Sequence, residues 1–345
     1  MANYNLTPYK LESTQRSIDG VPEGVKMINA VHMWNEGYKG EGVVIAIIDS
    51  GCQVDHPDLK DRIIATRNYV VSEGTEEDVT DFNGHGTHVA GVVAASENGE
   101  GIIGVAPQSK LVILKVFKRQ KDDRGQTVVE GSGNEKYEAT DEDIIQAIKY
   151  CIAWRGPNQE KIRIINMSLG GKDSTFVHDA VKEAVNNDIL IICAAGNEGG
   201  SDEGGDCGIL QNELSYPGAY PEVVEVGAIG LDQVLPCFTN TNTEIDLVAP
   251  GVAIRSTFKH SDYAVMNGTS MASPHVAGAA ALLINYCESR FKRKFTEPEI
   301  YAQLIKRTDC RNADPMLVGN GFLVLQGECS NTAASKEQVN KEVLI

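Results

Sequence analysis

Apolar residues in this chain fall into short, almost unbroken runs, separated by stretches with helical spacing. The run Val43-Val44-Ile45-Ala46-Ile47-Ile48 is apolar at every position and stops at Asp49-Ser50-Gly51. Apolarity on both alternating sets of side chains predicts a strand buried on both faces, as in a parallel sheet. Runs of this kind lie at 43–49, 110–117, 162–169, 188–195, 223–229 and 245–249, and helical spacing recurs at 86–97, 141–154, 175–187, 270–289 and 296–308. Strand and helix in turn predict a mainly parallel sheet with helices on both faces, a three-layer α/β/α sandwich. The stretch 118–143 is charged, carries Gly125, Gly131 and Gly133, and predicts a long surface loop.

Composition narrows the function classes. The chain has 345 residues, 42% hydrophobic and 23% charged, which suits a soluble protein with a sizeable core. A net charge of −17 argues against nucleic acid or an anionic membrane as partners and favours cations. No stretch reaches the roughly 20 apolar residues of a membrane span, and the first ten residues lack the basic and apolar regions of a secretory signal. Eight cysteines stand at 52, 151, 193, 207, 237, 287, 310 and 329, none in C-x-x-C spacing. Without a signal they are expected as reduced, mostly buried thiols, neither a disulfide framework nor zinc ligands, in a cytoplasmic protein. Cys52 lies three residues after Asp49, so thiol sensitivity is the sharper reading and simple packing the blander one.

Candidate chemistry begins at Ser270, in Asn267-Gly268-Thr269-Ser270-Met271-Ala272-Ser273-Pro274-His275. It stands where a glycine turn meets a small-residue helix, whose positive end favours negative charge near its oxygen. A serine hydroxyl needs a base to become a nucleophile. His85, flanked by Gly84 and Gly86 at a helix start, has room for two partners, and Asp49 is delivered by the first strand to a carboxyl edge. Asn197, in Ala194-Ala195-Gly196-Asn197-Glu198 after another strand, can offer its amide to an oxyanion. Singly, each has a plainer reading as a turn former, core group or helix cap. Together, the order Asp, His, Ser is one of the known orders for a serine-hydrolase triad.

These segments resemble the subtilisin-like serine proteases. The family's three active-site patterns stand as Ile48-Asp49-Ser50-Gly51, His85-Gly86-Thr87-His88-Val89-Ala90-Gly91 and Gly268-Thr269-Ser270-Met271-Ala272-Ser273-Pro274-His275, from about residue 21 to about residue 325. The resemblance implies that Asp49, His85 and Ser270 form the triad and Asn197 the oxyanion donor. It implies that Ser168, Leu169, Gly170 and Gly171, with Ala195, Gly196 and Glu198, line the substrate groove. In the family the 118–143 region borders the pocket for the fourth residue before the cut. A calcium ion is implied at Ser96-Glu97-Asn98-Gly99-Glu100-Gly101-Ile102. Asn98 would give its side-chain oxygen, Ser96, Glu100 and Ile102 their carbonyls, and Asp58 and Asp19 their carboxylates.

Only about 17 to 20 residues precede the match, too few for the chaperone prodomain of secreted members. The chain looks like the bacterial intracellular subtilisins, which carry a short extension with a Leu-Ile-Pro-Tyr motif lying across the active site. Here the motif reads Leu6-Thr7-Pro8-Tyr9, and Glu213-Leu214-Ser215-Tyr216-Pro217 and Gly319-Asn320-Gly321-Phe322-Leu323 also resemble those members. Pro8, with no amide hydrogen and a fixed φ, makes a poor neighbour for a scissile bond. The expected organisation is an inhibitory extension over 1–18, a catalytic domain over 19–328 and a tail over 329–345. The expected activity is a calcium-stabilised intracellular serine endopeptidase, made as a self-inhibited precursor, and the resemblance to usually dimeric relatives implies a homodimer. Its partners are protein and peptide substrates bound as an added strand, with broad cleavage after large side chains and basic ones tolerated through Glu198. Two rivals are a processing protease of narrow specificity and a non-catalytic peptide-binding protein on the same scaffold.

Overall fold

The central strand sorts its side chains strictly by parity. In the computed structural model, which describes residues 3–16, 20–122, 124, 126–128, 135–201, 204–310 and 313–325, Val44–Asp49 is buried at every position. Val43, Ile45 and Ile47 enter one hydrophobic core, and Val44, Ala46 and Ile48 enter the other. The first core lies under the helices His85–Ala94 and Thr269–Phe291, the second under Asp141–Ala153 and Thr175–Val185. Leu111 and Ile113 against Val112 and Leu114 repeat the division on Lys110–Lys115. This is the expected three-layer sandwich, built because period-two side chains serve both faces.

Among the described residues nine strands make the sheet, in the spatial order Thr308–Asp309, Phe322–Leu323, Ile245–Pro250, Val224–Ile229, Leu190–Ala194, Ile162–Met167, Val44–Asp49, Lys110–Lys115 and Ile63–Asn68. All neighbours run parallel except the Thr308–Asp309 edge. Val44–Asp49 pairs on one side with Lys110–Lys115, beyond which lies Ile63–Asn68, and on the other with Ile162–Met167, so the winding changes direction there. Ligands of open α/β sheets bind at such a point, beyond the carboxyl ends of the strands.

The six runs expected as strands and the five expected as helices all form, with ends shifted by a few residues. Ile63–Asn68 was not expected, because an edge strand that is only half buried carries no continuous apolar signal. The 118–143 stretch is not a loop throughout. Lys118–Arg119 pairs antiparallel with Tyr137–Thr140, and Asp141 opens a helix on a Thr140–Asp143 capping box. The cysteine expectation is corrected at one pair. Cys207 and Cys237, both exposed, are joined in a disulfide with Cα atoms 4.5 Å apart, whereas Cys52, Cys151, Cys193 and Cys287 are free and buried and Cys310 is free and exposed. The two loops meet because Gly199 bonds back to both, through Gly199 N to Phe238 O and Cys207 N to Gly199 O, a contact no spacing announces. Cys329 and the 329–345 tail lie outside the described residues.

The two helices of the first core touch closely at Gly278. A methyl there would stand 2.5 Å from Val105 Cβ and 3.3 Å from the Val93 carbonyl. Gly278→Ala, made in a Ser270→Ala background to prevent self-digestion, is expected to lose about 1–3 kcal/mol of stability as overpacking. A urea midpoint equal to that of the parent would contradict this packing.

Candidate active site

Asp49 ends the central strand, and one of its carboxylate oxygens does double service. Oδ1 accepts the Ser50 amide at 2.7 Å and meets His85 Nδ1 at 2.8 Å, with both side chains essentially buried. That contact sets the imidazole with its hydrogen on Nδ1 and an acceptor lone pair on Nε2. Nε2 has no hydrogen-bond partner among the described residues. His85 is the first residue of its helix, placed by Gly84 in a left-handed conformation. The next residue has to be glycine, because a methyl on Gly86 would strike Gly51 O and crowd Asp49.

A residue that sequence reasoning passed over holds this junction. Asp81 is buried and accepts from Ser50 Oγ at 2.9 Å, Gly84 N at 2.7 Å, Thr87 N at 2.9 Å and Thr87 Oγ1 at 2.6 Å. Ser50 Oγ in turn receives the Gly86 amide. The strand end bearing Asp49 and the helix start bearing His85 are thereby tied together. His88, one turn on, is fully buried with Nε2 against the carbonyls of Ile254 and Ala264. Burial first, then the nearby His85, lowers its pKa to about 3, so it stays neutral and structural.

Ser270 and Asn197 approach from the other side. Ser270 is the second residue of the long helix, after Gly268, whose φ of 150° only glycine holds easily. Asn197 Oδ1 accepts from both Thr269 N and Thr269 Oγ1 at 2.9 Å, which turns its Nδ2 outward to the groove. An amide fixed in this way is a preorganised donor for charge developing on a carbonyl oxygen. Ser168, just past the Ile162–Met167 strand, braces the helix start through Oγ to Ser270 O at 3.0 Å and Ser273 Oγ at 2.9 Å.

The groove holds the chain's own amino-terminal segment. Asn3–Leu6 lies as an antiparallel strand between Leu169–Gly171 and Tyr137–Thr140, with Tyr4 opposite Gly171, Asn5 opposite Gly170 and Leu6 opposite Leu169. Tyr4 is fully buried. Thr7 Oγ1 sits 2.7 Å from Ser270 Oγ and 3.3 Å from Ser168 O, and Asn197 Nδ2 donates to Pro8 O. Tyr9 donates to Asn83 Oδ1 at 2.7 Å and packs its ring 5.0 Å from that of His85. Lys10–Gln15 then pairs with Tyr263–Asn267. The Ser270 hydroxyl is thus bonded to Thr7 and to Ser168 O.

The remaining expected positions divide. Gly196 donates its amide to Thr269 Oγ1 at 3.2 Å, and Ala195 N pairs back into the sheet with Val226 O. Glu198 lines the groove, its carboxylate taking the Asn240 side-chain amide at 2.9 Å, a partner from a distant loop that no local pattern signals. Asp58 is buried and accepts Asn98 Nδ2, Ile102 N and Tyr263 Oη, each at 3.0 Å, while Ser96 N bonds Asp58 O at 2.8 Å. Asn98 Oδ1 takes the Glu100 amide at 3.0 Å. Asp58 is thus hydrogen-bonded to Ser96, Asn98 and Ile102, and Asn98 to Glu100. Asp19 lies outside the described residues. Among the described residues no three His, Cys, Asp or Glu side chains cluster as a metal site, and no helix is long and apolar enough to cross a membrane.

Known proteins share this chain's sequence over most of its length. The Peptidase S8 pattern, that of the subtilase family, matches residues 40–328. An intracellular serine protease of Paenibacillus polymyxa is 47% identical over 93% of this chain and 90% of its own. The major intracellular serine protease of Bacillus subtilis (strain 168) is 44% identical over 93% of this chain and 92% of its own. Subtilisin DY of Bacillus licheniformis is 39% identical over 77% of this chain and 85% of its own. With the doubly wound sheet and the site at its carboxyl edge, these matches establish that the chain belongs to the subtilase family of serine endopeptidases.

Proposed function

We propose that this protein is an intracellular endopeptidase working through Asp49, His85 and Ser270, and that residues 1–18 hold it inactive until they leave the groove. The names of the relatives support the compartment. The observation that carries the rest is the pair of contacts made by Asn197 and Ser270 to the chain's own Pro8 and Thr7.

His85 Nε2 takes the proton of Ser270 as its oxygen attacks the peptide carbonyl, and Asp49 stabilises the imidazolium that results. Asn197 Nδ2 donates to the oxyanion. The proton passes to the leaving amine, and water clears the acyl-enzyme by the same route. An extended substrate lies along Leu169–Gly171, taking the place of the Asn3–Leu6 strand.

The extension fills that place without offering a cleavable bond. Its residue at the Ser168 edge is Thr7, whose hydroxyl engages Ser168 O and Ser270 together. Pro8 has no amide hydrogen to give the groove, yet its carbonyl occupies the Asn197 donor. Tyr9 packs its ring beside that of His85, on the base the reaction needs.

Calcium is proposed at Asp58 and Asn98 with the Ser96, Glu100 and Ile102 carbonyls, and with Asp19. The fit rests on Asp58, a buried carboxylate that receives only neutral donors from its neighbours. The loop passes so close to this carboxylate at Gly101 that a methyl there would collide with Tyr263 Oη and Asp58 Oδ2. The ion would neutralise that carboxylate and fix the loop, a structural service remote from the triad. Binding Asn98 through oxygen requires its amide to turn, because here its nitrogen faces Asp58.

Three outcomes test this reading. Full-length protein given a fluorogenic peptide should show a lag and then activity, with none from Ser270→Ala; immediate full activity would contradict the self-inhibited state. Asn197→Ala should lower kcat by the roughly 10²- to 10³-fold known for loss of this donor in subtilisin, with KM little changed. A raised KM at unchanged kcat would deny the role. Calcium in place of a chelator should raise the unfolding temperature of Ser270→Ala, as ligand binding to the native state requires. Asp58→Ala should abolish that rise, and a calcium response unaltered by the substitution would place the ion elsewhere.

A further inference from the structure

Asn197 stands on a stretch of chain that another loop holds by its backbone. Asn240 N bonds Gly196 O at 3.1 Å, Asn240 Oδ1 accepts Glu198 N at 2.7 Å, and Gly199 N bonds Phe238 O at 3.0 Å. The approach is so close that a methyl on Gly199 would strike the Thr239 carbonyl and stand 2.9 Å from that of Cys237. The carbonyl of Gly199 is held from elsewhere, by Cys207 N at 2.9 Å, where the loop after Gly199 folds back with Gly205 N on Gly200 O. Gly199 is thus gripped by two segments, one ending in Cys207 and one beginning at Cys237. The Cys207–Cys237 disulfide joins those two segments. The clamp closes two residues from the proposed oxyanion donor.

Apolar packing does not keep this loop in shape. From 199 to 208 the sequence sets three acids among glycines and offers no apolar side chain except that of Cys207. Cys207 itself has a φ of 55°, the left-handed region that a residue with a Cβ seldom adopts. Opening the disulfide releases a residue from a costly conformation that no buried apolar anchor otherwise enforces. The effect reaches the groove, because Glu198, Gly204 and Asn240 all line it. Gly208 O also takes the Thr241 hydroxyl, so the two loops stay neighbours with the bond open and can close it again. Both cysteines are exposed, within reach of small thiols. Disulfides in reducing compartments, where they occur, are mostly transient, catalytic or redox-sensing.

We propose that Cys207 and Cys237 form a thiol–disulfide exchange site through which the cell's small thiols set the activity: the closed bond holds the groove wall and Asn197 in working geometry, and the open dithiol leaves them slack. The proposal rests on the reading of the chain as an intracellular peptidase. Closing the bond uses a small-molecule disulfide as the oxidant. One protein thiolate displaces a small thiolate from it and forms a mixed disulfide, and the second protein thiolate then displaces the other. The protein bond forms, two electrons pass to the small disulfide, and two small thiols leave with the protons. Two small thiols reverse the exchange by the same steps. Misplacing a catalytic group by about an ångström can cost on the order of 100-fold in rate, so a slack wall is enough to lower activity.

The test takes full-length protein, brought to a steady rate with calcium, through buffers of reduced and oxidised glutathione at a series of ratios. Hydrolysis of a fluorogenic peptide is read at each ratio, and alkylation with peptide mass analysis counts the closed Cys207–Cys237 bond. Wild-type kcat/KM should fall at least fivefold as the bond opens and recover when it closes. The double variant Cys207→Ser with Cys237→Ser should sit at the low value and ignore the ratio. A bond that merely stabilises the fold would alter the unfolding temperature and leave kcat/KM of the folded enzyme unchanged, and that result overturns the proposal. So does a bond that stays closed at every ratio, or a double variant that keeps the high value or still responds. Should the double variant fail to fold, wild type decides alone, by whether its rate tracks the closed fraction and recovers with it. Hydrolysis at no ratio overturns the peptidase reading and this proposal together, whereas steady hydrolysis indifferent to the bond overturns this proposal alone.

Discussion

A strand buried on both faces has one place to put a polar side chain, and that is its end. Val44–Asp49 lies in the interior of the sheet, walled by helices above and below, and its last residue is the first that can meet a hydrogen-bonding partner. The site follows from that constraint. Asp49 is pinned by the following amide, His85 is brought to it by a helix start, and Asp81 ties the two together with five accepted bonds. Ser270 and Asn197 arrive on separate elements, joined to each other through Thr269. Each functional side chain stands at the border between a regular element and a turn. There the backbone is fixed by the fold while the side chain remains free to act.

Much of this could be read before any coordinates. The two-faced strands announced a parallel sheet, and the glycines around His85 and before Ser270 marked the turns that carry them. What could not be read depended on contacts between distant segments. Asn240 against Glu198 and Cys207 against Cys237 are loop-to-loop meetings, set by the sheet and not by local pattern. Ile63–Asn68 and Tyr137–Thr140 are half-buried strands with mixed composition. The second of them is stabilised by a partner from the far amino terminus, so its own residues carry only part of the signal. Asp81 escaped notice because an acid among polar neighbours looks like any loop residue until five donors are seen around it.

The proposed inhibition asks only modest interactions of the extension, because they are tethered. Each main-chain bond of an added strand is worth only about 0.5–1.5 kcal/mol. A segment joined to the enzyme by a short connection, however, is present at an effective concentration of order millimolar. Substrate in solution must compete with that. The same economy makes release simple, since one cut or one disrupted anchor in the segment removes the tether's advantage. Thr7 adds a contact that an apolar residue could not make, because its hydroxyl bonds the Ser270 hydroxyl directly.

The central claim is that the amino-terminal segment, lying as a strand in the groove, keeps Ser270 from reacting. Tyr4 is the anchor to attack, because it is fully buried and a carboxylate in its place would be expelled. The most direct measurement is the rate at which a fluorophosphonate labels Ser270 in fresh full-length protein and in full-length Tyr4→Glu. The account predicts labelling at least tenfold faster in Tyr4→Glu, with the same final extent. Equal rates would mean that the segment does not guard the serine, and the account would be wrong.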